Sequence, residues 1–456
     1  MKTYDLLVLG AGSGNMLFGP QTEHLRSAIV EPSRFGGTCL NRGCIPSKML
    51  VVAADAALAV REAGRLGVHA TLDGVDWPGI RDRVFGRIDP IHGSAVDYRR
   101  SIGIDVYTDP ARFVAPNTLD VGGQRVTAEQ IVVAVGSRPV VPVIAGLQDV
   151  PFHTSDTIMR VEEVPRSLLV IGGGFIAAEL GHVFGAFGTR VTMVQRGPRL
   201  LMAEDAEISQ RFTELAGERH RLLLDSEVTQ VRSRPDGGVT ATVRRRDGAT
   251  LVEETVDADA VLVAVGRRPN TDLLDAAAGG LDLDAHGHVA TDDAYRTSVP
   301  GVWSFGDAAN HFQLKHMANA EMRVLRHNLL HPNNLRTLGH TLAPHAVFSH
   351  PQVAGVGLTQ EQADARGAAY VTSVRAYSDT AYGWALEDTT SFVKLLADPQ
   401  NRMLLGAHII GPQAATLLQP LLQGMMLGQT VDQMAHDVLY VHPALTEVVE
   451  QALLDL

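Results

Sequence analysis

The chain is poor in cysteine: its 456 residues include two, Cys39 and Cys44, both inside the stretch GGTCLNRGC. So few thiols exclude a secreted scaffold stapled by disulfides. Lysine is almost as scarce, with Lys2, Lys48, Lys315 and Lys394 set against many arginines. That bias follows from a GC-rich genome and bears on origin rather than mechanism. An excess of positive charge is also lacking. The formal net charge of −12 argues against a nucleic-acid or anionic-membrane partner. No apolar run reaches the roughly 18 residues needed to span a bilayer. Residues 4–9 run straight into glycines, not into an export-type cleavage region. A cytoplasmic protein of two to three domains is expected.

Glycine is well supplied and patterned. Residues 4–9 (YDLLVL) read as a buried parallel strand, and Gly10, Gly12, Ser13, Gly14 and Asn15 form the glycine turn after it. A second strand, 28–31 (AIVE), ends on Glu31, 21 residues after Gly10. That spacing suits a dinucleotide-binding unit, whose carboxylate accepts hydrogen bonds from a ribose. Pro20 interrupts the helix that should follow the turn, so a shortened or kinked helix is expected. The pattern recurs at 167–171 (SLLVI), followed by Gly172, Gly173, Gly174, Phe175, Ile176 and Ala177, with 190–194 (RVTMV) as the next strand. A second echo pairs 131–139 (IVVAVGSRP) with 261–269 (VLVAVGRRP), each turning on a glycine, Gly136 and Gly266. Two nucleotide domains of related design follow from these repeats.

The last third carries no nucleotide signature. From about His340, 353–357 and 392–396 read as strands, and 414–427 and 430–434 as helices. An α+β domain is expected here, after a linker at 332–338 (PNNLRTL).

The two nucleotide sites differ at the strand end. Where the first has Glu31, the second has Gln195, then Arg196 and Arg199. Loss of the acid removes repulsion of a 2′-phosphate, and arginines offer bidentate phosphate contacts. The second site is therefore expected to prefer NADPH, although the same arginines would also suit a solvated surface loop.

On an ideal helix, Cys39 and Cys44 would be about 7.5 Å apart along the axis and face different directions. A disulfide needs Cα atoms within about 7 Å, so the backbone must bend, and Gly43 supplies the bend. Pro46 fits the first turn of a helix over about 45–63. Cys44 then lies at a helix N-terminus, where dipoles favour thiolate. Metal binding would need further soft ligands, and neither His24 nor His69 has zinc-type spacing. A reactive pair is the better reading than a structural staple.

With these residues in place, GGTCLNRGCIPSK resembles the active-site signature of the two-cysteine, FAD-dependent pyridine nucleotide-disulfide oxidoreductases. Both fingerprints, 304–307 (SFGD), and His442-Pro443 with Glu447 fall in that family's order. The resemblance covers the full chain. It implies an α/β fold with two Rossmann-like dinucleotide-binding domains and an α+β C-terminal dimerisation domain. The expected bounds are 1–150 for the first part of the FAD domain, 151–268 for the NADPH domain, 269–336 for the central part and 337–456 for the interface. It implies that Cys39 and Cys44 form a redox-active disulfide, with Cys39 attacking substrate and Cys44 beside the flavin. Lys48 and Glu179 match an ion pair near the flavin, and Asp307 an acid that bonds the FAD ribitol. His442 and Glu447 match an acid/base and its orienting carboxylate, shared between subunits of a homodimer. Thr38, Ala111, Gly136 and His316 are further expected cofactor contacts, and no metal is implied.

Three features bear on the substrate. Gln195 and Arg196 favour NADPH, against the NAD-using lipoamide dehydrogenases. The tail 451–456 has no cysteine, against relatives that relay electrons through a C-terminal pair. The GSGN turn, 84–90 (VFGRIDP) and 380–389 (TAYGWALEDT) resemble the mycothione-reducing branch. That implies mycothione, the symmetric disulfide of mycothiol, as a low-molecular-weight substrate, with Tyr382 and Trp384 as candidates for the surface that meets its sugar. The alternatives are a lipoamide dehydrogenase, another disulfide or quinone reductase with the same centre, and a non-catalytic FAD-binding redox sensor or assembly subunit.

Overall fold

Both fingerprints open on strands with no polar alternation, and such strands are stable only where both faces are covered. The computed structural model, which describes residues 2–247, 250–339 and 342–456, places each between two parallel neighbours inside a sheet. The chain divides into two units. One comprises Met1–Pro46, Arg81–Val140 and Gly266–His340, and the other Ser47–Ile80, Val141–Val265 and Thr341–Leu456.

In the first unit, Lys2–Leu9 lies between Ser27–Val30 and Gln124–Val133, with Asp105–Tyr107 beyond, all parallel. Val302–Ser304 runs parallel along the end of Gln124–Val133, and Thr118–Val121 and Ala111–Ala115 extend the sheet antiparallel. Tyr4, Leu7 and Leu9 are buried in one core cluster, and Leu6 and Val8 in another.

In the second unit, Ser167–Ile171 lies between Arg190–Val194 and Ala260–Val263, with Arg221–Leu223 at the edge, again all parallel. A three-stranded antiparallel sheet, Ser226–Ser233, Val239–Asp247 and Thr250–Ala258, accompanies it. The C-terminal part is a five-stranded antiparallel sheet in the order His345–Val347, Val353–Gly357, Leu404–Ile410, Phe392–Ala397, Val371–Ala376. Helices Ala414–Leu427 and Thr446–Leu454 bury Leu417, Leu421, Val448 and Ala452 in the same core as Val393, Leu395 and Ile409. The expected start of this region, about His340, lies outside the described residues.

The repeated glycine turn has a steric cause. Gly10 has φ +104°, and a Cβ there would fall 2.3 Å from the Ala134 carbonyl oxygen. Gly172 has φ +125°, and its Cβ would fall 2.2 Å from the carbonyl oxygen of Ala264. Each glycine sits where its strand meets the neighbouring AVG turn, and no L side chain fits there. The helices that follow are not alike. Phe175–Ala186 is a 12-residue helix, whereas after the first turn there is only the 3-10 segment Gly14–Leu17, ending in extended Phe18. With Pro20 two residues on, the first helix is reduced to a single turn.

The expected linker, 332–338, is tied to the helix before it. The Asn328 side chain accepts from the Arg336 N–H at 2.8 Å and donates to the Arg336 carbonyl at 2.8 Å, and Leu335 and Leu338 pack on the core. The helical stretch Gly37–Leu66 is, by length and composition, apolar enough to cross a membrane, though no single apolar run is that long. In the fold it is interrupted at Gly43, and Leu50, Ala54 and Leu58 are buried in the protein.

Candidate active site

The cysteines occupy two helices rather than one. Cys39 is in Gly37–Arg42, and Cys44 is the first residue of Cys44–Glu62. Gly43 separates them, and a Cβ there would lie 2.9 Å from the Thr38 carbonyl oxygen, so only glycine makes the bend without displacing backbone. Cys39 is half-buried and Cys44 exposed at its helix N-terminus, where the dipole favours thiolate. Asn41, between them, is buried, and its amide donates to the carbonyls of Phe35 and Gly37, both at 2.9 Å. That one side chain ties the approach loop to the first thiol helix. Nothing in the composition singled it out.

The same unit holds the first glycine turn. The Gly36 N–H donates to the Ala11 carbonyl at 2.9 Å, and a Cβ on Gly37 would fall 2.8 Å from the Gly12 Cα. The cysteine helix therefore starts in contact with the turn. Glu31 accepts from the N–H groups of Ala11 and Ser33, each at 2.9 Å. Burial pushes its carboxyl up, and those two bonds, with Arg42 and His92, pull it back. Arg42 also donates to the Ser33 hydroxyl at 3.0 Å. Asn15 accepts from Arg99 Nε at 2.8 Å, an arginine that sequence reasoning missed. Asp307 accepts from the Ser137 hydroxyl at 2.6 Å, and Arg267 Nε donates to that hydroxyl at 2.9 Å. Thr38 is the second residue of the cysteine helix, Ala111 a buried residue of its strand, Gly136 a turn glycine with φ +67°, and His316 an exposed residue early in Lys315–Leu330. The close backbone approach at Gly12 and the half-buried acid at the strand end fit a dinucleotide with a ribose at Glu31 and a pyrophosphate at the turn.

In the second unit, Lys48 Nζ donates to both oxygens of Glu179 at 2.7 Å. Glu179 is buried, accepts from the Phe348 N–H at 2.9 Å, and the Phe348 ring lies 4.7 Å from Lys48 Nζ. At the second fingerprint, Gly174 precedes Phe175–Ala186, and a Cβ on Gly174 would meet nothing within 4 Å. The exposed Gly174 and Phe175, with Ile176, leave this helix N-terminus open to an anion, and Gly266 is exposed at the turn after Ala260–Val263. Gln195 follows strand Arg190–Val194, its side chain donating to the Arg199 carbonyl at 3.4 Å. Arg196 is exposed, while Arg199 Nε donates to Ser209 at 3.2 Å. His442 Nδ1 and Glu447 Oε1 are 2.7 Å apart, with the imidazole 71% exposed and the carboxylate mostly buried. The Ala444 N–H, 3.3 Å from Glu447 Oε2, braces that carboxylate. Among the described residues no cluster of three or more histidine, cysteine or carboxylate groups could hold a metal.

Comparison with known proteins bears on what this arrangement does. A family model described as pyridine nucleotide-disulphide oxidoreductase matches residues 4–322, and the dimerisation-domain model of that family matches 343–453. The chain is 46% identical over its full length and the whole of the mycothione reductase of Mycobacterium tuberculosis H37Rv. It is 30% identical to a dihydrolipoyl dehydrogenase of Bacillus subtilis, covering 98% of this chain and 95% of that one. Its fold matches the HOCl-induced flavoprotein disulfide reductase RclA from Escherichia coli, with a TM-score of 0.86 at 24% identity over 99% of both chains. The chain belongs to the pyridine nucleotide-disulphide oxidoreductase family and is a flavin- and pyridine-nucleotide-dependent disulfide oxidoreductase.

Proposed function

We propose that the protein reduces mycothione to two molecules of mycothiol with NADPH, using FAD and a Cys39–Cys44 disulfide. The observation that carries this reading is the 46% identity along the entire length of both chains with a mycothione reductase. Gln195 and the exposed Arg196 at the end of strand Arg190–Val194 support a 2′-phosphate on the nicotinamide cofactor. Glu31, the turn at Gly10–Asn15 and Asp307 would hold FAD. Bound FAD would accept two electrons from NADPH and deliver them to the disulfide.

The rest of the chemistry falls to side chains of the protein. Cys39, in the helix that meets the glycine turn, attacks one sulfur of mycothione and releases one mycothiol as thiolate. His442, its Nδ1 held by Glu447, protonates that leaving thiolate from Nε2. Cys44 then attacks Cys39, which re-forms the disulfide and releases the second mycothiol. NADPH, one proton and mycothione thus give NADP⁺ and two mycothiols. The match of 343–453 to a dimerisation domain supports a homodimer in which His442 serves the thiols of the partner subunit.

Steady-state assays of purified protein test the reading. Mycothione should drive rapid NADPH oxidation, and Cys39→Ser should abolish it while NADPH still bleaches the flavin. Inert mycothione together with rapid NAD reduction by dihydrolipoamide would overturn the substrate. Full turnover in Cys39→Ser would overturn the thiol assignment.

A further inference from the structure

Lys315 is one of only four lysines, and no part of the chemistry above uses it. It opens helix Lys315–Leu330, whose N-cap, Leu314, offers no side-chain cap. Its Nζ donates to the hydroxyl of Ser13 at 2.8 Å, a partner that carries no charge of its own. Ser13 in turn donates to Asn319 Oδ1 at 3.0 Å, one helical turn beyond Lys315. Two side chains of one helix thus bracket Ser13. Ser13 adjoins Gly12, and Gly12 is the residue that the start of the cysteine helix touches at Gly37. The chain of contacts from ammonium to Ser13, Gly12 and Gly37 ends two residues short of Cys39. All of these groups lie in the first unit.

The charges around Lys315 agree with that placement. Burial pushes its pKa below the ordinary lysine range, and Cys39, Cys44 and Asp307 pull it back. The attraction is reciprocal: thiolates that stabilise an ammonium are stabilised by it. The other lysine near the pair in sequence, Lys48, is bound to both oxygens of Glu179.

We propose that Lys315 is the cation that stabilises the thiolate left when the Cys39–Cys44 disulfide is reduced, acting across space rather than by touching substrate. A hydride brings two electrons and one proton. The S–S bond breaks, one sulfur becomes a thiol, and the other keeps a negative charge. That charge forms beside the glycine turn, where an ammonium already anchored on Ser13 is in place to meet it. This proposal rests on the two-thiol reading above.

The test is the pH dependence of iodoacetamide alkylation in dithiothreitol-reduced holoenzyme. The wild-type midpoint should lie below the roughly 8.5 of an unperturbed thiol. In Lys315→Met it should rise by about one to two pH units, the usual scale of losing one nearby opposite charge. Lys315→Arg should restore most of the shift. Asn319→Ala, which removes a hydrogen bond from Ser13 but no charge, should leave the midpoint in place. If Lys315→Met does not retain flavin, it is compared with wild type stripped of flavin, since protein atoms alone make the arrangement. Equal midpoints in wild type and Lys315→Met overturn the proposal, as does an equal shift in Asn319→Ala. Loss of the two-thiol reading would show separately, as full turnover in Cys39→Ser.

Discussion

Lys48 Nζ and the Glu179 carboxylate meet at 2.7 Å through both oxygens, an ion pair whose two residues both lie in the second unit. The partners are unequally covered, with 34% of the lysine side chain exposed and 7% of the glutamate. The carboxylate is therefore the group that loses most if the pair is broken.

Lys48→Met should lower the unfolding free energy by about 2–3 kcal/mol, because it leaves a buried carboxylate without its cation. Lys48→Met combined with Glu179→Leu should recover much of that loss, since an apolar pair carries no unpaired charge. Urea unfolding of the three proteins measures both values. A double variant no more stable than Lys48→Met would show that the pair is not an isolated charge balance.

Cofactor choice should respond to the end of strand Arg190–Val194. Arg196→Ala should raise the KM for NADPH by about 10- to 100-fold, the worth of one charge-assisted hydrogen bond, and leave that for NADH nearly unchanged. Gln195→Glu should turn the preference toward NADH by restoring a ribose acceptor and repelling a 2′-phosphate. Ratios of kcat/KM for the two nucleotides report each effect. An unchanged ratio in both variants would remove the arginine from the site.

Acid should weaken the second unit through His220. Burial above all, then the charges of Arg219 and His182, lowers this imidazole from 6.5 to about 4. A histidine with a depressed folded pKa takes its proton more readily when unfolded. Its contribution is thus whole above about pH 6.5 and is lost as pH falls from there toward 4. The loss amounts to roughly 3 kcal/mol. His220→Phe should flatten that part of the curve, and His350, also lowered to about 4, should leave a residual slope. Urea unfolding at stepped pH provides the comparison, and identical slopes in variant and wild type would sink the assignment.

The strands and the two glycine turns were legible because their causes are local: unbroken apolar runs, and glycine where a Cβ meets a carbonyl. The cysteine motif was legible for the same reason, since the bend at Gly43 and the helix start at Cys44 depend on neighbours in sequence. Pro20 signalled a damaged first helix, but not that a single 3-10 turn would remain. Lys315 and Arg99 were out of reach. Each finds its partner across a long sequence gap, Ser13 for one and Asn15 for the other, and neither has a periodic neighbour to mark it. Asn41 was closer at hand, within the motif itself, yet its amide serves three backbone carbonyls that only the folded loop brings together.

The matched approaches of Gly10 to Ala134 and Gly172 to Ala264 have a consequence for how such a protein can change. At both junctions the obstacle is a main-chain oxygen, which no substitution elsewhere can trim. Divergence between the two halves is thereby channelled away from the turns and toward the strand ends. There one half carries Glu31 and the other Gln195 and Arg196, positions where a side chain can change without disturbing how the sheet is joined.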